Sequence, residues 1–383
     1  MRDYIPFGKP NFSEEEIQEV TRVLKSGWIG MGSETISFEN ELKDYFDVSN
    51  VVCVNSCTSA LYLSLLALGV KSGDEVICPS YTWCSTANAA LYLGAKPVFC
   101  DIDPNSYCIT PESVSDKITD KTKAVIPVHM GGIAADIDGI SEVMPKKCHI
   151  IEDAAHAIGS KFPNDLPVGS SGNLTCFSFY ANKNLSTGEG GAIALNDNKI
   201  AEKLRSFRLH GLSSDAWNRF IDPKSKIVPE IHELGFKMNY TDLNASIGRV
   251  QLRRLGELFN RRAEIADYYV DIIQKLPYHV KIQKNILSPG HAKHLFLIEL
   301  PLDDIEITRD EFVLKMRDFG IGASIHYLPL HMMDYYKGID NCKLVKTENL
   351  YERVMTLPIS ASMTIKDAEY VMEVFSKIME GTI

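Results

Sequence analysis

The sequence lacks the features that mark membrane, secreted and nucleic-acid-binding proteins. Its 383 residues contain no run near the ~18 consecutive apolar residues of a membrane-spanning helix. The first residues show no long apolar core behind a basic cluster, so we expect no signal peptide. A formal net charge of −10 forces no basic face on the molecule, which argues against a dedicated nucleic-acid binder. We therefore expect no nucleic acid and no membrane among its partners.

Paired cysteine motifs are also missing. The nine cysteines are scattered, and none forms the Cys-x-x-Cys pair typical of zinc sites and redox centres, so we expect no metal site. Cys53, Cys78, Cys100 and Cys148 lie in or beside apolar segments that resemble strands. This distribution favours reduced core thiols in a cytoplasmic protein, with disulfides as the alternative.

The chain does contain a regular alternation of short apolar runs and helical stretches. Short continuous apolar strands separated by helices indicate an α/β fold with a mostly parallel sheet, covered on both faces. Ligands of such sheets collect at the carboxyl ends of the strands. We therefore expect Asn55, Pro79, Asp101, His129 and Asp153, which follow or end the runs, to converge on one crevice. The predicted strands are 51–54, 75–78, 97–100, 124–128 and 149–152, and the predicted helices lie near 59–68, 84–93, 111–118 and 136–144.

The pattern changes in the last third of the chain. A long helical stretch over about 241–276, with a break near Gly256, leads into an α+β arrangement. We therefore predict a large domain over 1–255, including an N-terminal arm, and a smaller C-terminal domain over 256–383. The predicted elements there are strands near 279–283, 293–300 and 322–326, a helix near 309–319, and two final helices.

Lys183 lies between a strand-like stretch, 175–180, and the glycine-rich segment 186–191. Glycines there permit close approach of the backbone to a flat ring. The residues around Lys183 are apolar, aromatic or small, so we expect a partly desolvated amine. Burial lowers the pKa of an amine and makes it a better nucleophile. An ordinary exposed loop lysine is the alternative.

Asp153 ends the apolar run 149–153, and His156 follows it. A lysine that forms a Schiff base and a buried carboxylate that keeps a pyridine nitrogen protonated are what pyridoxal phosphate chemistry requires of a protein. Asp153 could accept a charge-assisted hydrogen bond from that nitrogen. His156 could bond the phenolic oxygen of the cofactor or orient Asp153. A helix cap and a satisfied core histidine are the alternative roles.

Thr58 and Ser59 lie where a strand joins a helix. Hydroxyl residues and backbone N–H groups at a helix N-terminus can bind phosphate, although the same residues are common caps. Trp83 follows the next strand and could stack on the cofactor or pack in the core. Asn239 directly precedes a predicted helix and could donate to a phosphate, including that of a neighbouring subunit.

Three further residues are candidates for contact with substrate. His326 and Tyr327 follow a predicted strand of the small domain, although a structural role for the histidine is an equal alternative. Arg219 lies in the polar, irregular stretch 212–235 and could pair with a diphosphate or with the carboxylates of glutamate.

These motifs together resemble the DegT/DnrJ/EryC1/StrS family of sugar aminotransferases, and the resemblance covers nearly the whole chain. The family has the fold type I architecture, which is similar to that of aspartate aminotransferase. The matching segments are Gly27-Trp-Ile-Gly-Met-Gly, Thr58-Ser-Ala-Leu, Glu152-Asp-Ala-Ala-His, Phe177-Ser-Phe, Lys183-Asn-Leu, Gly188-Glu-Gly-Gly, Asn239-Tyr-Thr-Asp and Ser324-Ile-His-Tyr-Leu-Pro-Leu-His.

The resemblance implies pyridoxal 5′-phosphate as the cofactor and a homodimer with shared active sites. It implies that Lys183 forms the Schiff base and that Asp153 holds the pyridine nitrogen. The other implied contacts are Trp83 stacked on the ring, His156 beside the ring oxygen, Thr58, Ser59 and Ser178 at the phosphate, and Asn239 at the cofactor of the partner subunit.

The resemblance also bears on the reaction. Some family members carry histidine in place of the lysine and act as deoxygenating dehydratases, so Lys183 implies an aminotransferase, with L-glutamate as donor and a nucleotide-linked ketosugar as acceptor. Segments 126–132 and 210–219 are most similar to the branch that aminates C4 of nucleotide-linked 4-ketosugars. A small phosphorylated ketone as substrate, or a non-catalytic regulator, is the alternative. A nicotinamide-dependent oxidoreductase is disfavoured because no Gly-x-Gly-x-x-Gly follows the early strands.

Overall fold

A computed structural model describes residues 3–212 and 230–383. Within these ranges, the larger sheet has seven strands. They are β1 (Asn50–Val54), β2 (Glu75–Pro79), β3 (Lys96–Cys100), β4 (Thr122–Val125), β5 (His149–Asp153), β6 (Leu174–Ser178) and β7 (Gly191–Leu195). Their order is β1-β7-β6-β5-β4-β2-β3, and β7 runs antiparallel to both of its neighbours. The remaining neighbours pair in parallel, which confirms the predicted mostly parallel sheet.

The five predicted strands are confirmed with small shifts, except at the end of β4. That strand ends at Val125, although the amide of Ile126 still donates to the carbonyl of Ile77 at 2.8 Å. Strand β7 was not predicted from its Gly-Ala-Ile-Ala-Leu sequence. A Cβ on its first residue, Gly191, would lie 2.6 Å from the backbone of Ser56 and 2.7 Å from that of Phe177. Glycine is therefore needed at the start of this strand because neighbouring backbones approach it closely, which sequence periodicity does not report.

Helices cover the sheet and fill the connections, as the alternating pattern predicted. The predicted long helix over 241–276 is two helices that meet at Arg254, two residues before the expected break at Gly256. No described helix is both long and apolar enough to cross a membrane. The helices are α1 (Glu14–Ser26), α2 (Ser33–Phe46), α3 (Cys57–Ala67), α4 (Ser85–Leu91), α5 (Pro111–Ser115), α6 (Ile137–Val143), α7 (Asn198–Phe207), α8 (Asp242–Arg253), α9 (Leu255–Ile273), α10 (Arg309–Asp318), α11 (Asp334–Lys337), α12 (Val345–Arg353) and α13 (Ile365–Met379).

The C-terminal part contains an antiparallel sheet in the order β10-β9-β8, whose strands are β8 (Lys281–Ile282), β9 (Phe296–Glu299) and β10 (Val354–Leu357). The predicted strand over 322–326 is wrong: only Ser324 pairs with Thr356, through an isolated bridge. The chain then turns away towards the carboxyl edge of the larger sheet. Strand β10 was missed because it follows α12 directly, with no turn residue between them.

The first residues of the chain contact its last third. The amide of Ile5 donates to Gly320 at 2.9 Å, and the amide of Gly322 donates to Ile5 at 2.8 Å. Ile5 is buried in the same hydrophobic cluster as Phe296 and Phe375. The division of the chain near residue 256 stays a prediction, and this arm packs against the C-terminal side of that division.

Candidate active site

A cavity of about 440 Å³ lies at the carboxyl ends of β1, β2, β5 and β6. It brings together eight of the predicted site residues. They are Thr58, Trp83, Asp153, His156, Ser178, Lys183, His326 and Tyr327. Ser59 and Asn239 are outside its lining, and Arg219 lies outside the described residues.

Asp153 is the last residue of β5, and its carboxylate is buried at the bottom of the cavity. The Thr86 hydroxyl donates to it at 2.8 Å and the Ala155 amide at 3.2 Å. Burial raises the pKa of Asp153, and these hydrogen bonds oppose the rise. A cationic N–H group in the cavity would therefore find a desolvated carboxylate with few competing partners.

Lys183 follows β6 through a turn in which its amide donates to Tyr180 at 2.9 Å. Burial lowers the pKa of the Lys183 amine to about 8, and the Arg262 guanidinium adds to this effect while Cys57 and Asp153 oppose it. A large share of the amine is therefore neutral and nucleophilic near pH 8. The predicted partly desolvated lysine is present.

The N-terminus of α3 forms a hydroxyl-rich wall of the cavity, to which Ser56 and Thr58 contribute. The Ser56 hydroxyl caps the helix by accepting from the Ser59 amide at 3.1 Å. The Ser59 hydroxyl donates to Asn55 at 2.7 Å, so its proton is occupied at the start of the helix. Ser178 lines the cavity from the end of β6. Hydroxyl groups and a helix N-terminus together suit a phosphate.

His156 and Tyr327 form a hydrogen-bonded pair across the cavity, with 3.2 Å between the Tyr327 hydroxyl and Nε2 of His156. Nδ1 of His156 accepts from the Gly131 amide at 3.3 Å, so Nε2 carries the ring proton. His156 therefore donates to the phenol, and the Tyr327 proton is free to point elsewhere. Burial first, and then the Lys183 charge, lower the pKa of His156 well below its usual value.

The remaining predicted residues in the described part of the chain are Trp83, His326 and Asn239, which differ in exposure and in hydrogen-bond partners. Trp83 is 59% exposed, and its ring lies 5.8 Å from that of Tyr327 at an angle of 54°. His326 bonds Thr356 at 2.9 Å, and burial lowers its pKa to about 4. Asn239 forms an isolated bridge with Val54, and its side chain donates to the Tyr240 carbonyl at 3.2 Å. Its predicted contact with a partner's cofactor stays a prediction.

The expectation that all five strand-end residues converge on the crevice is wrong, because only Asp153 of the five lines the cavity. Asp101 caps α12 by accepting from the amides of Lys346 and Thr347 at 3.0 and 2.9 Å. His129 is fully buried and bonds Glu152 at 2.9 Å, behind the cavity. A strand end gives a position but not the direction in which its side chain points.

Two residues near Lys183 were missed by the sequence analysis. Nε2 of His294 lies 3.3 Å from Nζ of Lys183, although it comes from a distant segment that precedes β9. Asn182 lines the cavity, and its buried Oδ1 atom has no hydrogen-bond partner among the described residues. Neither residue belongs to a recognisable motif, so spacing along the chain gave no signal.

The described residues fit pyridoxal phosphate. Lys183 offers an amine, Asp153 a buried carboxylate for a ring nitrogen, and the start of α3 a hydroxyl-lined phosphate cradle. The unpaired Oδ1 atom of Asn182 is an acceptor that a bound molecule can satisfy.

Comparison with known proteins agrees with this chemistry. Spore coat polysaccharide biosynthesis protein SpsC of Bacillus subtilis is 39% identical over 99% of this chain and 98% of its own length. Putative sugar aminotransferase Spr1654 of Streptococcus pneumoniae, solved in PMP and PLP forms, superposes in its PMP form with a TM-score of 0.90 at 31% identity, over 99% of this chain and all of that one. PseC of Helicobacter pylori, an aminotransferase involved in pseudoaminic acid biosynthesis, gives 0.90 at 25% identity over 99% and 100% of the chains.

The family match itself extends over residues 10–376, almost the whole chain. It includes the cavity, both sheets and the lysine and aspartate blocks from which the resemblance was drawn. The expected fold type I architecture and the expected enzyme class are thereby confirmed. The chain belongs to the DegT/DnrJ/EryC1/StrS aminotransferase family, whose members depend on pyridoxal phosphate.

Proposed function

We propose that this enzyme transfers the amino group of L-glutamate to a nucleotide-linked ketosugar, with pyridoxal phosphate held by Lys183. The main support is that Lys183 and Asp153 line the same cavity and that burial shifts their pKa values in opposite directions. The pKa of the amine is lowered to about 8, and the pKa of the carboxyl group is raised. A neutral amine and a desolvated carboxylate are what a Schiff-base lysine and a pyridine partner need.

Bound pyridoxal phosphate supplies an electron sink that stabilises the charge left when a proton leaves the carbon next to the amino group. The protein moves that proton. Nζ of Lys183 can take up and return a proton near neutral pH because burial has lowered the pKa of the amine. Asp153 holds the cofactor's ring nitrogen in its protonated state, and Thr86 orients Asp153. Thr58, Ser178 and the start of α3 bind the phosphate, with Ser59 supporting the helix cap.

The remaining assignments concern the faces of the cofactor and the substrate. We assign Trp83 to one face of the ring and His156 to the ring oxygen. His326 and Tyr327 lie where an acceptor sugar would approach, because both line the cavity from the C-terminal side. Arg219 is the proposed partner of a diphosphate or a glutamate carboxylate. Asn239 is proposed to reach the cofactor of a second subunit in a homodimer.

The sugar substrate is supported by the relatives. Spr1654 is named a putative sugar aminotransferase, PseC is an aminotransferase of pseudoaminic acid biosynthesis, and SpsC is named for polysaccharide biosynthesis. The nucleotide link and C4 as the aminated carbon are supported by segments 126–132 and 210–219. A cytoplasmic location is supported by nine cysteines that are all free and mostly buried.

A half-reaction screen tests the substrate class. Enzyme is loaded with L-glutamate, separated from 2-oxoglutarate, and offered nucleotide-linked 4-ketosugars, nucleotide-linked 3-ketosugars and small ketone phosphates, with products read by mass spectrometry. We expect a gain of one amino group on a nucleotide-linked 4-ketosugar. Amination of ketone phosphates alone would overturn the proposed substrate, and a failure to release 2-oxoglutarate would overturn the proposed donor.

A further inference from the structure

His294 is held beside Lys183 by an unusually complete set of contacts. Its amide donates to Gly131 at 3.0 Å, and the amide of Ala292 donates to Gly132 at 2.8 Å. Arg262 donates to the carbonyl of Lys293 at 3.3 Å and is buried with it. The backbone that carries His294 is therefore fixed on two sides.

The two glycines whose carbonyls accept hydrogen bonds from this segment leave no room for side chains. Gly131 and Gly132 have φ values of 68° and 109°, which L side chains rarely adopt. A Cβ on Gly131 would also lie 2.5 Å from the Gln283 side chain, and one on Gly132 would lie 3.0 Å from Ala292. The backbone of 292–295 can therefore approach this turn closely and keep His294 at a fixed depth in the site.

The side chain of His294 is fixed as firmly as its backbone. The Asn184 amide nitrogen donates to the Ala292 carbonyl at 2.7 Å, so its Oδ1 atom is free to accept. That Oδ1 atom lies 3.2 Å from Nδ1 of His294. An amide oxygen can only accept, so Nδ1 of the ring must carry the proton. The lone pair of Nε2 then faces Nζ of Lys183 at 3.3 Å.

We propose that His294, locked in its Nδ1–H tautomer by Asn184, is a positioning residue that accepts a hydrogen bond from the Lys183 amine and sets its direction and protonation. This inference rests on the proposed role of Lys183 and adds a residue to it. His294 is itself neutral, because burial first and then the Lys183 charge lower its pKa well below the usual value. A neutral acceptor stabilises the ammonium form of lysine more than the amine form.

Several other ionisable groups lie close enough to the Lys183 amine to affect its pKa. Asp153 and Cys57 raise its pKa, and Arg262 lowers it. Burial first, and then the Lys183 charge, lower the pKa values of His156 and His326 and so favour their neutral forms. In the native chain Nε2 of His294 is a direct acceptor for this amine, at 3.3 Å from Nζ.

Competitive labelling of the cofactor-free chain tests this role. Acetic anhydride reacts with neutral amines, so the acetylation of Lys183 followed by mass spectrometry across pH gives its titration midpoint, with exposed Lys25 as an internal reference. We expect His294→Phe to move the Lys183 midpoint down by about one pH unit. Asn184→Ala is expected to move it in the same direction by less, because the freed imidazole can turn either nitrogen to the amine.

His291→Phe is the matched control, since His291 is also buried in this segment but bonds Gln283 at 3.3 Å instead of Lys183. The titration midpoint of Lys183 in this control variant should equal that in the native chain. An unchanged midpoint in His294→Phe, or an equal shift in His291→Phe, would overturn the inference. If His294→Phe fails to fold, an unchanged midpoint in Asn184→Ala overturns it instead.

The titration needs no cofactor, so it is independent of the proposed function. Capture of pyridoxal phosphate by the native chain is followed separately by absorbance. Failure of that capture with an intact shift in the His294 variant would count against the proposed function and support the positioning role.

Discussion

The two sides of the cavity differ in kind. The side built on the larger sheet supplies an acidic and a basic group, Asp153 and Lys183, together with the hydroxyls at the start of α3. The C-terminal side supplies His326 and Tyr327 to the lining, and His294 lies beside Lys183. Burial favours the neutral form of all three, because it lowers the pKa values of the histidines and raises that of the tyrosine. Under the proposed function, the first side would perform the proton chemistry, and the second would fix directions through neutral hydrogen bonds.

The largest expected effect belongs to the sheet side. Lys183→Ala should lower the rate of 2-oxoglutarate release from glutamate by at least ~10³-fold, because it removes the amine that is proposed both to hold the cofactor and to move the proton. Stopped-time chromatography of 2-oxoglutarate measures the rate. Lys293→Met is the control, since that buried amine donates to the carbonyls of Ser288 and His291, away from the cavity. Equal losses in both variants would contradict the assignment.

Asp153→Asn should come next, with a loss of roughly 10²-fold in the same half-reaction. The amide keeps the shape of the side chain but removes the charge that is proposed to hold a proton on the ring nitrogen. Glu152→Gln is the matched control, because the neighbouring carboxylate bonds His129 and Asn173 behind the cavity. An equally large loss of activity in the Glu152 variant, at equal folded fraction, would count against the proposed role of Asp153.

Tyr327→Phe tests the C-terminal side, and we expect a loss of only about 5- to 10-fold. The change removes the acceptor of the His156 N–H and leaves the charged groups in place. Steady-state kinetics with each substrate varied in turn should show a larger change in KM for the sugar than in kcat. A loss as large as that of Asp153→Asn would show that the two sides do not divide the work in this way.

The smallest expected effect is a gain in stability. The folded Lys183 has a pKa of about 8 against 10.5 for an ordinary lysine, so the folded protein binds fewer protons between these values and becomes more stable as pH rises through them. Lys183→Met should therefore stabilise the cofactor-free chain by about 1–2 kcal/mol at pH 7. Thermal unfolding at pH 7 and pH 10 should show this gain shrinking at the higher pH. A gain that is the same at both values would contradict the buried-charge explanation.

Features that depend on local pattern were predictable from the sequence. The strand ending at Asp153 and the glycine-rich stretch after Lys183 placed both residues correctly at one edge of a mostly parallel sheet. Features that depend on close packing were not. Strand β7 begins at Gly191, where neighbouring backbones leave no room for a side chain, and the strand expected over 322–326 is a single bridge at Ser324.

Distant contacts were the other source of error. His294 reaches Lys183 only because the Gly131–Gly132 turn and Asn184 hold its segment in place. Asp101 follows a strand as expected, yet its carboxylate caps a helix from the other end of the chain. Neither contact produces a periodic pattern in the sequence. A single sequence therefore could not show that His294 lies beside the amine or that Asp101 caps a helix.

The pairing of Ile5 with residues beside Ile321 has a consequence for biosynthesis. On the ribosome, the amino-terminal segment emerges first, but its docking surface is translated only after most of the chain. At about 5–20 residues per second, this interval is roughly 15–60 s. During that time Ile5 lacks its backbone partners Gly320 and Gly322, and all seven strands of the larger sheet, the last of which ends at Leu195, are translated before them.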